Sequence, residues 1–150
     1  MNIGDYRIID RLGIGGSGEI YRAHHQDDSP EKIVVIKRLL AKLRSDALAR
    51  DQFLTEADLG RRLMHPNLIR QLAFGLEDDE LFLVLQYVDG PNLFTLLNTL
   101  RSRSMQPAGY VAGYIISQVL EGLHFAHELK GADESYVAML LQKGIKECSK

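Results

Sequence analysis

Four glycines fall within six positions in Leu12-Gly13-Ile14-Gly15-Gly16-Ser17-Gly18-Glu19-Ile20-Tyr21, and Val34-Val35-Ile36-Lys37 follows as a β-branched run that closes on a lysine. Together these are a device for holding the phosphates of a nucleotide, and what comes directly after Gly18 separates the ways a chain can build one. A dinucleotide-binding crossover opens a helix inside the glycine motif, so that the helix N-terminus receives the pyrophosphate. Here Glu19-Ile20-Tyr21-Arg22 alternates with the period of a strand instead. A Walker loop places Lys and then Ser or Thr after the last glycine, where this chain has Glu19 and Ile20. What remains is a glycine flap at the tip of a β-hairpin. On the loop alone, a phosphate cover and a ligand-free turn stay equally open.

Lys37 shifts that balance. In a strand, Val35, Lys37 and Leu39 share one face and Val34, Ile36 and Arg38 the other. The lysine therefore stands among apolar neighbours, where an ammonium needs an anionic partner. Ser45 or Asp46 caps a helix expected to reach about Met64, before His65-Pro66. On it Phe53, Glu56, Gly60 and Leu63 fall at helical offsets, so Glu56 lies in the apolar stripe. A buried Lys37 to Glu56 ion pair is expected; the plainer alternative is a solvated glutamate at the stripe's margin.

The remaining elements follow in order. Tyr6 to Leu12, Glu19 to Ala23, Lys32 to Leu39, Ile69 to Gly75 and Leu81 to Leu85 read as strands. Glu77-Asp78-Asp79-Glu80 reads as a solvated hairpin turn between the last two. After Gly90-Pro91 the pattern is helical. Asn92 caps a short helix with Leu93, Leu96, Leu97 and Leu100 on one face. Pro107 opens a long one to about Lys130, with Val111, Ile115, Val119, Gly122, Leu123 and Ala126 as its apolar side and Gly131 at its end. A short helix is expected in the tail, capped by Asp133. His124 and His127 are read as packed histidines, and no metal site is assigned.

Composition narrows the class without naming a ligand. With 150 residues, 45% hydrophobic and 25% charged, the chain has the makeup of a soluble globular domain. A formal charge of -2 recommends neither nucleic acid nor an anionic membrane as partner. The lone Cys148, an N-terminus without signal-peptide character and the absence of a membrane-length apolar window make the cytoplasm the expected location.

With these residues in order, the chain resembles the first half of a protein kinase domain, most closely the bacterial Ser/Thr kinases of eukaryotic type. The resemblance covers about residues 6–130. It rests on the glycine flap, Val34-Val35-Ile36-Lys37, Glu56, His65-Pro66-Asn67 and the hinge Leu83-Val84-Leu85-Gln86-Tyr87-Val88. It implies an α+β fold: a five-stranded antiparallel sheet plus one helix over residues 1–88, then a helical and incomplete second lobe over 89–130 and a divergent tail over 131–150. It further implies an ATP site. Leu12 and Ile20 would roof the adenine, Val35 would wall it and Leu85 would gate its back. Gly13, Gly15, Gly16, Ser17 and Gly18 would cover the phosphates, and Lys37, oriented by Glu56, would hold them. The Gln86 carbonyl and Val88 N–H would bond the adenine edge, with Asn92 near the ribose.

Three departures matter. Val35 stands where kinases usually have alanine, and Asn92 where an acidic residue is common. The third is larger. The family follows its long helix with His-Arg-Asp, Asp-Phe-Gly and Ala-Pro-Glu motifs, and none occurs in these 150 residues; Asp133 has Ala138 at the position where a metal-binding asparagine would be needed. The implied reaction is phosphoryl transfer from Mg-ATP to protein hydroxyls, with the expectation that this chain alone binds nucleotide without catalysing it. Two alternatives stand beside that reading. One is a non-catalytic module that meets a protein partner, or a second copy, through its exposed helix face. The other is a shortened product with no activity.

Overall fold

The alternating segments between Asn2 and Gln86 assemble into one antiparallel sheet of six strands: β1 (Asn2–Ile3), β2 (Tyr6–Ile14), β3 (Gly18–His25), β4 (Ile33–Leu39), β5 (Gln71–Glu77) and β6 (Glu80–Gln86), in the order β1-β2-β3-β4-β6-β5. The structure, a computed structural model, describes residues 1–16 and 18–129. Five strands are those expected: β2, β3 and β6 run two or three residues longer, β4 starts one residue later, and β5 is shifted two residues toward the C-terminus. β1 is an addition, too short to carry an alternation of its own. Ser17 and the tail from residue 130, including the helix expected after Asp133, lie outside the described residues.

Register places the side chains. Across β3, β4 and β6 the pairs Ile20↔Lys37↔Leu83 and Arg22↔Val35↔Leu85 form two rows on one face, while Tyr21↔Ile36↔Val84 lies on the other. α1 (Ala47–Arg62) covers the first face. Its Phe53 and Ala57 pack with Leu39, Leu81 and Leu83 into one core cluster. Asp46, and not Ser45, is the N-cap: its carboxylate accepts from the Ala49 N–H at 3.0 Å. The opposite face carries a second cluster of Ile3, Tyr21, Ala23, Ile36, Phe82 and Val84. Here the Gly4 turn of β1 comes down on the tip of the Phe82 ring, and Gly4 N–H donates to the Glu77 carboxylate. Positive φ at Asp78 (48°) and Asp79 (62°) gives the β5–β6 hairpin the two left-handed central residues that match the sheet's twist.

The chain divides into two compact units. The sheet and α1 make the first, Met1–Met64 with Ile69–Tyr87; His65–Leu68 belongs with the residues from Val88 onward in the second. In that second unit α2 (Leu93–Ser102) starts at the cap Asn92, whose Oδ1 accepts from Thr95 N–H at 2.8 Å. α3 (Gly109–His127) begins after an extended Ala108, which leaves Pro107 one position outside the helix rather than in its first turn. It ends at the cap Glu128, short of the expected Lys130. The His65–Leu68 turn seats on its C-terminal half. The Asn67 amide donates to the Gln118 carbonyl at 2.9 Å, the His65 ring lies 5.2 Å from that of Phe125, and a Cβ on Gly122 would stand 3.2 Å from Leu68. Gly122 and Ala126 are buried there, but Val119, expected on the inner stripe, is exposed. The turn covers only the last part of that stripe.

Candidate functional site

Three elements of the first unit converge on Lys37. β4 presents it on the face covered by α1, in one row with Ile20 of β3 and Leu83 of β6. α1 supplies Glu56, whose carboxylate accepts a hydrogen bond from the Lys37 ammonium. The β2–β3 hairpin supplies the glycines. Gly15 N–H bonds the Gly18 carbonyl at 2.7 Å and closes the turn. Gly18 is required by close approach: a Cβ there would lie 2.7 Å from the Arg38 carbonyl and 3.4 Å from the stem of Lys37. The last glycine of the flap and the lysine thus pack against each other, and residues that look independent in sequence form one feature.

The ion pair was expected to be buried; it is sheltered instead, with side chains 16% and 17% exposed for Lys37 and Glu56. A lysine ammonium has three donors, and the bond to Glu56 uses one of them. Around it the structure brings Gly13, Gly15, Gly16, Gly18, Ile20, Val35 and Leu85 into the same unit. Gly13 pairs with Ile20 across the hairpin, and Val35 with Leu85. Leu12 lies on β2 and is about half exposed. Gln86 N–H bonds the Arg70 carbonyl at 2.8 Å. Val88 and Asn92 belong to the second unit, where the Asn92 acceptor is engaged as the helix cap. Ser17 lies outside the described residues.

Two neighbours escaped the reading of the sequence. Leu83 shares Lys37's row and Arg22 shares the Val35 and Leu85 row; simple alternation from Ile20 and from Leu85 would have found both. Arg22 is fixed by a two-point contact with Asp10, Nε to Oδ1 at 3.1 Å and Nη2 to Oδ2 at 2.6 Å. That bond first, and one to the Tyr87 hydroxyl second, hold its guanidinium above the ordinary arginine range. On the opposite face Arg38 reaches Glu19 at 3.0 Å and the Tyr21 hydroxyl at 2.9 Å. Burial alone would lower the Arg38 guanidinium; Tyr21 and then Glu19 outweigh it and hold it above the usual value. The charged turn Glu77-Asp78-Asp79-Glu80 is likewise not simply solvated. Asp79 pairs with Arg50, and Glu80 with Arg38 and Arg44. Among the described residues no group of three or more His, Cys, Asp or Glu is placed to hold a metal ion.

A lysine held by a helix glutamate beside a glycine hairpin is the arrangement expected of the family that the sequence resembles, and the comparisons bear on that family. The family model described as a protein kinase domain matches residues 6–131. The serine/threonine-protein kinase pkn3 of Myxococcus xanthus is 39% identical over 123 residues, 81% of this chain and 21% of that one. PknJ of Mycobacterium tuberculosis, also named a serine/threonine-protein kinase, is 35% identical over 82% of this chain and 20% of its own length. A tyrosine-protein kinase, MasK of Myxococcus xanthus, is 33% identical over 83% of this chain. The chain thus spans about a fifth of the length of the curated relatives it matches. Among solved structures, the kinase domain of PknI from Mycobacterium tuberculosis superposes with a TM-score of 0.67 at 26% identity, over 85% of this chain and 49% of that one. Motif order, sheet topology, the Lys37–Glu56 pair and the matched span lead to one conclusion: the chain belongs to the protein kinase family.

Proposed function

We propose that residues 6–129 form the nucleotide-binding half of a Ser/Thr protein kinase domain. In this reading Lys37 holds the phosphates of ATP, Glu56 aims the lysine, and the amides of Gly13, Gly15, Gly16, Ser17 and Gly18 cover the phosphates. Leu12, Ile20, Val35 and Leu85 enclose the adenine. Gln86 bonds its edge. The observation that carries this is the Lys37–Glu56 pair against the flap glycine Gly18. Backbone amides and one oriented ammonium supply positive potential without a reaction of their own, which is how the family positions a transferable phosphoryl group.

Transfer itself needs more. Metal ions neutralise the phosphates and an aspartate orients the acceptor hydroxyl; no His-Arg-Asp or Asp-Phe-Gly stands in these 150 residues. A polypeptide of these residues alone therefore binds Mg-ATP and transfers nothing. No helix of the described residues is long and apolar enough to cross a membrane. Titration with Mg-ATP, followed by calorimetry, tests the reading. Saturable binding is expected, weakened about tenfold or more in Lys37→Ala, where a hydrogen bond to a charged group is lost. Equal affinity in the two proteins, or phosphoryl transfer that Lys37→Ala abolishes, would overturn it.

A second reading is favoured by a separate observation. Tyr110, Tyr114, Ile116, Val119 and Leu120 of α3 are all exposed, more apolar surface on one helix than a solvated one needs. The module would then meet a protein surface, a second copy included, through this helix. Association indifferent to nucleotide and to Lys37→Ala would favour it.

A further inference from the structure

Charged residues outside the nucleotide site form a continuous chain that ends on α1, the helix carrying Glu56. Glu19, the residue after the last flap glycine, accepts from Arg38 Nε at 3.0 Å. Arg38 Nη1 also reaches Glu80 at 3.4 Å, and Glu80 pairs with Arg44 in the segment that leads into α1. One residue earlier in the hairpin turn, Asp79 receives Arg50, from the first turn of α1, at two points: Nη2 to Oδ1 and Nη1 to the backbone carbonyl, each at 2.9 Å. Arg50 Nη1 also lies 3.4 Å from the Arg44 carbonyl. The β5–β6 turn therefore grips the entry segment of α1 and its first turn with two arginines.

This grip sits well away from Glu56. Arg50 precedes Glu56 by six residues, about 9 Å along the helix axis. Besides the Glu56–Lys37 pair itself, α1 buries the apolar side chains Phe53, Ala57 and Leu59, of which Phe53 and Ala57 pack with sheet residues. Apolar burial as such is non-directional, so directional bonds add to what packing sets of the helix's rotation and axial position. A two-point bond from a planar guanidinium sets both. The turn is built to receive it, since Asp79 holds a left-handed φ of 62° and is 83% exposed at its side chain, so that it contributes little to the core. Arg44 turns its guanidinium to Glu80.

We propose that Arg50 with Asp79, and Arg44 with Glu80, are positioning residues that hold α1 where Glu56 reaches Lys37. They touch no nucleotide and act only through the ion pair. The consequence for affinity rests on the nucleotide-binding reading above, but the effect on Lys37 does not.

The test uses the 150-residue chain, with Asp79→Asn and Arg50→Ala as the variants; asparagine tolerates the left-handed backbone of the turn. The rate at which an amine-reactive reagent labels Lys37 is measured by mass spectrometry without nucleotide, alongside thermal unfolding to establish that the variants fold. Loss of an ion pair at a partly exposed surface is expected to raise labelling about two- to fivefold in either variant. Glu56→Gln should raise it as well, and Asp79→Asn should add nothing in that background. The proposal is overturned if Asp79→Asn leaves labelling unchanged while Glu56→Gln raises it, or if the two effects simply multiply. It is also overturned if Glu56→Gln has no effect. A wild-type chain that fails to bind Mg-ATP would remove the nucleotide reading alone, because the labelling comparison stands without it.

Discussion

Tyr6 shows how one side chain records the closing of the sheet. Its ring meets His25 edge-on at 5.1 Å and Phe82 at 6.4 Å, beside the Gly4 turn. Burial first, then the nearby carboxylates of Asp5 and Asp28, raises its phenol above the ordinary value of 10.0. A group whose folded-state value is raised keeps its proton longer folded than unfolded, so its contribution to stability is complete below the unfolded value. That contribution is lost as pH rises past about 10 and through the folded value. Unfolding midpoints in denaturant should therefore fall more steeply above about pH 10 in the wild-type chain than in Tyr6→Phe, with the two slopes alike near neutrality. Identical alkaline slopes would show that the ring is solvated. The sign is opposite for Asp28, where the Lys32 bond depresses the carboxyl. Both partners there are exposed, and the local turn has little to lose.

At the scale of elements, two glycines of similar appearance in sequence do different work. In β5, a Cβ on Gly75 would lie 2.2 Å from the tip of the Phe82 ring, which Gly4 also approaches. In α1, a Cβ on Gly60 would meet only the movable end of the Gln71 side chain, at 2.3 Å. Gly75→Ala should destabilise by about 1–3 kcal/mol, as overpacking does. Gly60→Ala should be neutral or stabilising by up to about 1 kcal/mol, because alanine is the better helix former; chemical denaturation of both variants decides. The contrast also marks what could be read from the chain alone. Period-two alternation, a cap at Ser45 or Asp46 and the cap Asn92 located the strands and helices, and the opposite faces of Lys37 and Arg38 followed from pleating. What could not be read depends on register between distant segments: Phe82 against Gly75 and Gly4, Glu80 against Arg44, and the dock of Asn67 on α3. β1 escaped because two residues carry no period. Val119 was misplaced because an apolar stripe on a helix tells where a cover fits, not how far one extends.

For the whole molecule, the second unit raises a question of balance between apolar surface and cover. Leu93, Phe94, Leu96 and Leu97 of α2 are all exposed, as are Tyr110, at 82%, Tyr114, Ile116, Val119 and Leu120 of α3. Helices of this makeup are hydrophobic on more than the narrow stripe a solvated helix needs, and surface of this kind seeks company in proportion to the apolar area it can hide. The net charge of -2 gives little electrostatic resistance to contact between copies. The 150-residue chain is accordingly expected to associate with itself, its mean mass by light scattering rising with concentration. Val119→Lys with Leu120→Glu should lower that mass toward the monomer without moving the labelling of Lys37. A monomer at every concentration in the wild-type chain would mean that these side chains are covered in solution. If association persists unchanged in the double variant, it runs through another surface, and the unpaired edge of β5, with Leu72, Phe74 and Leu76 exposed, is the next to substitute.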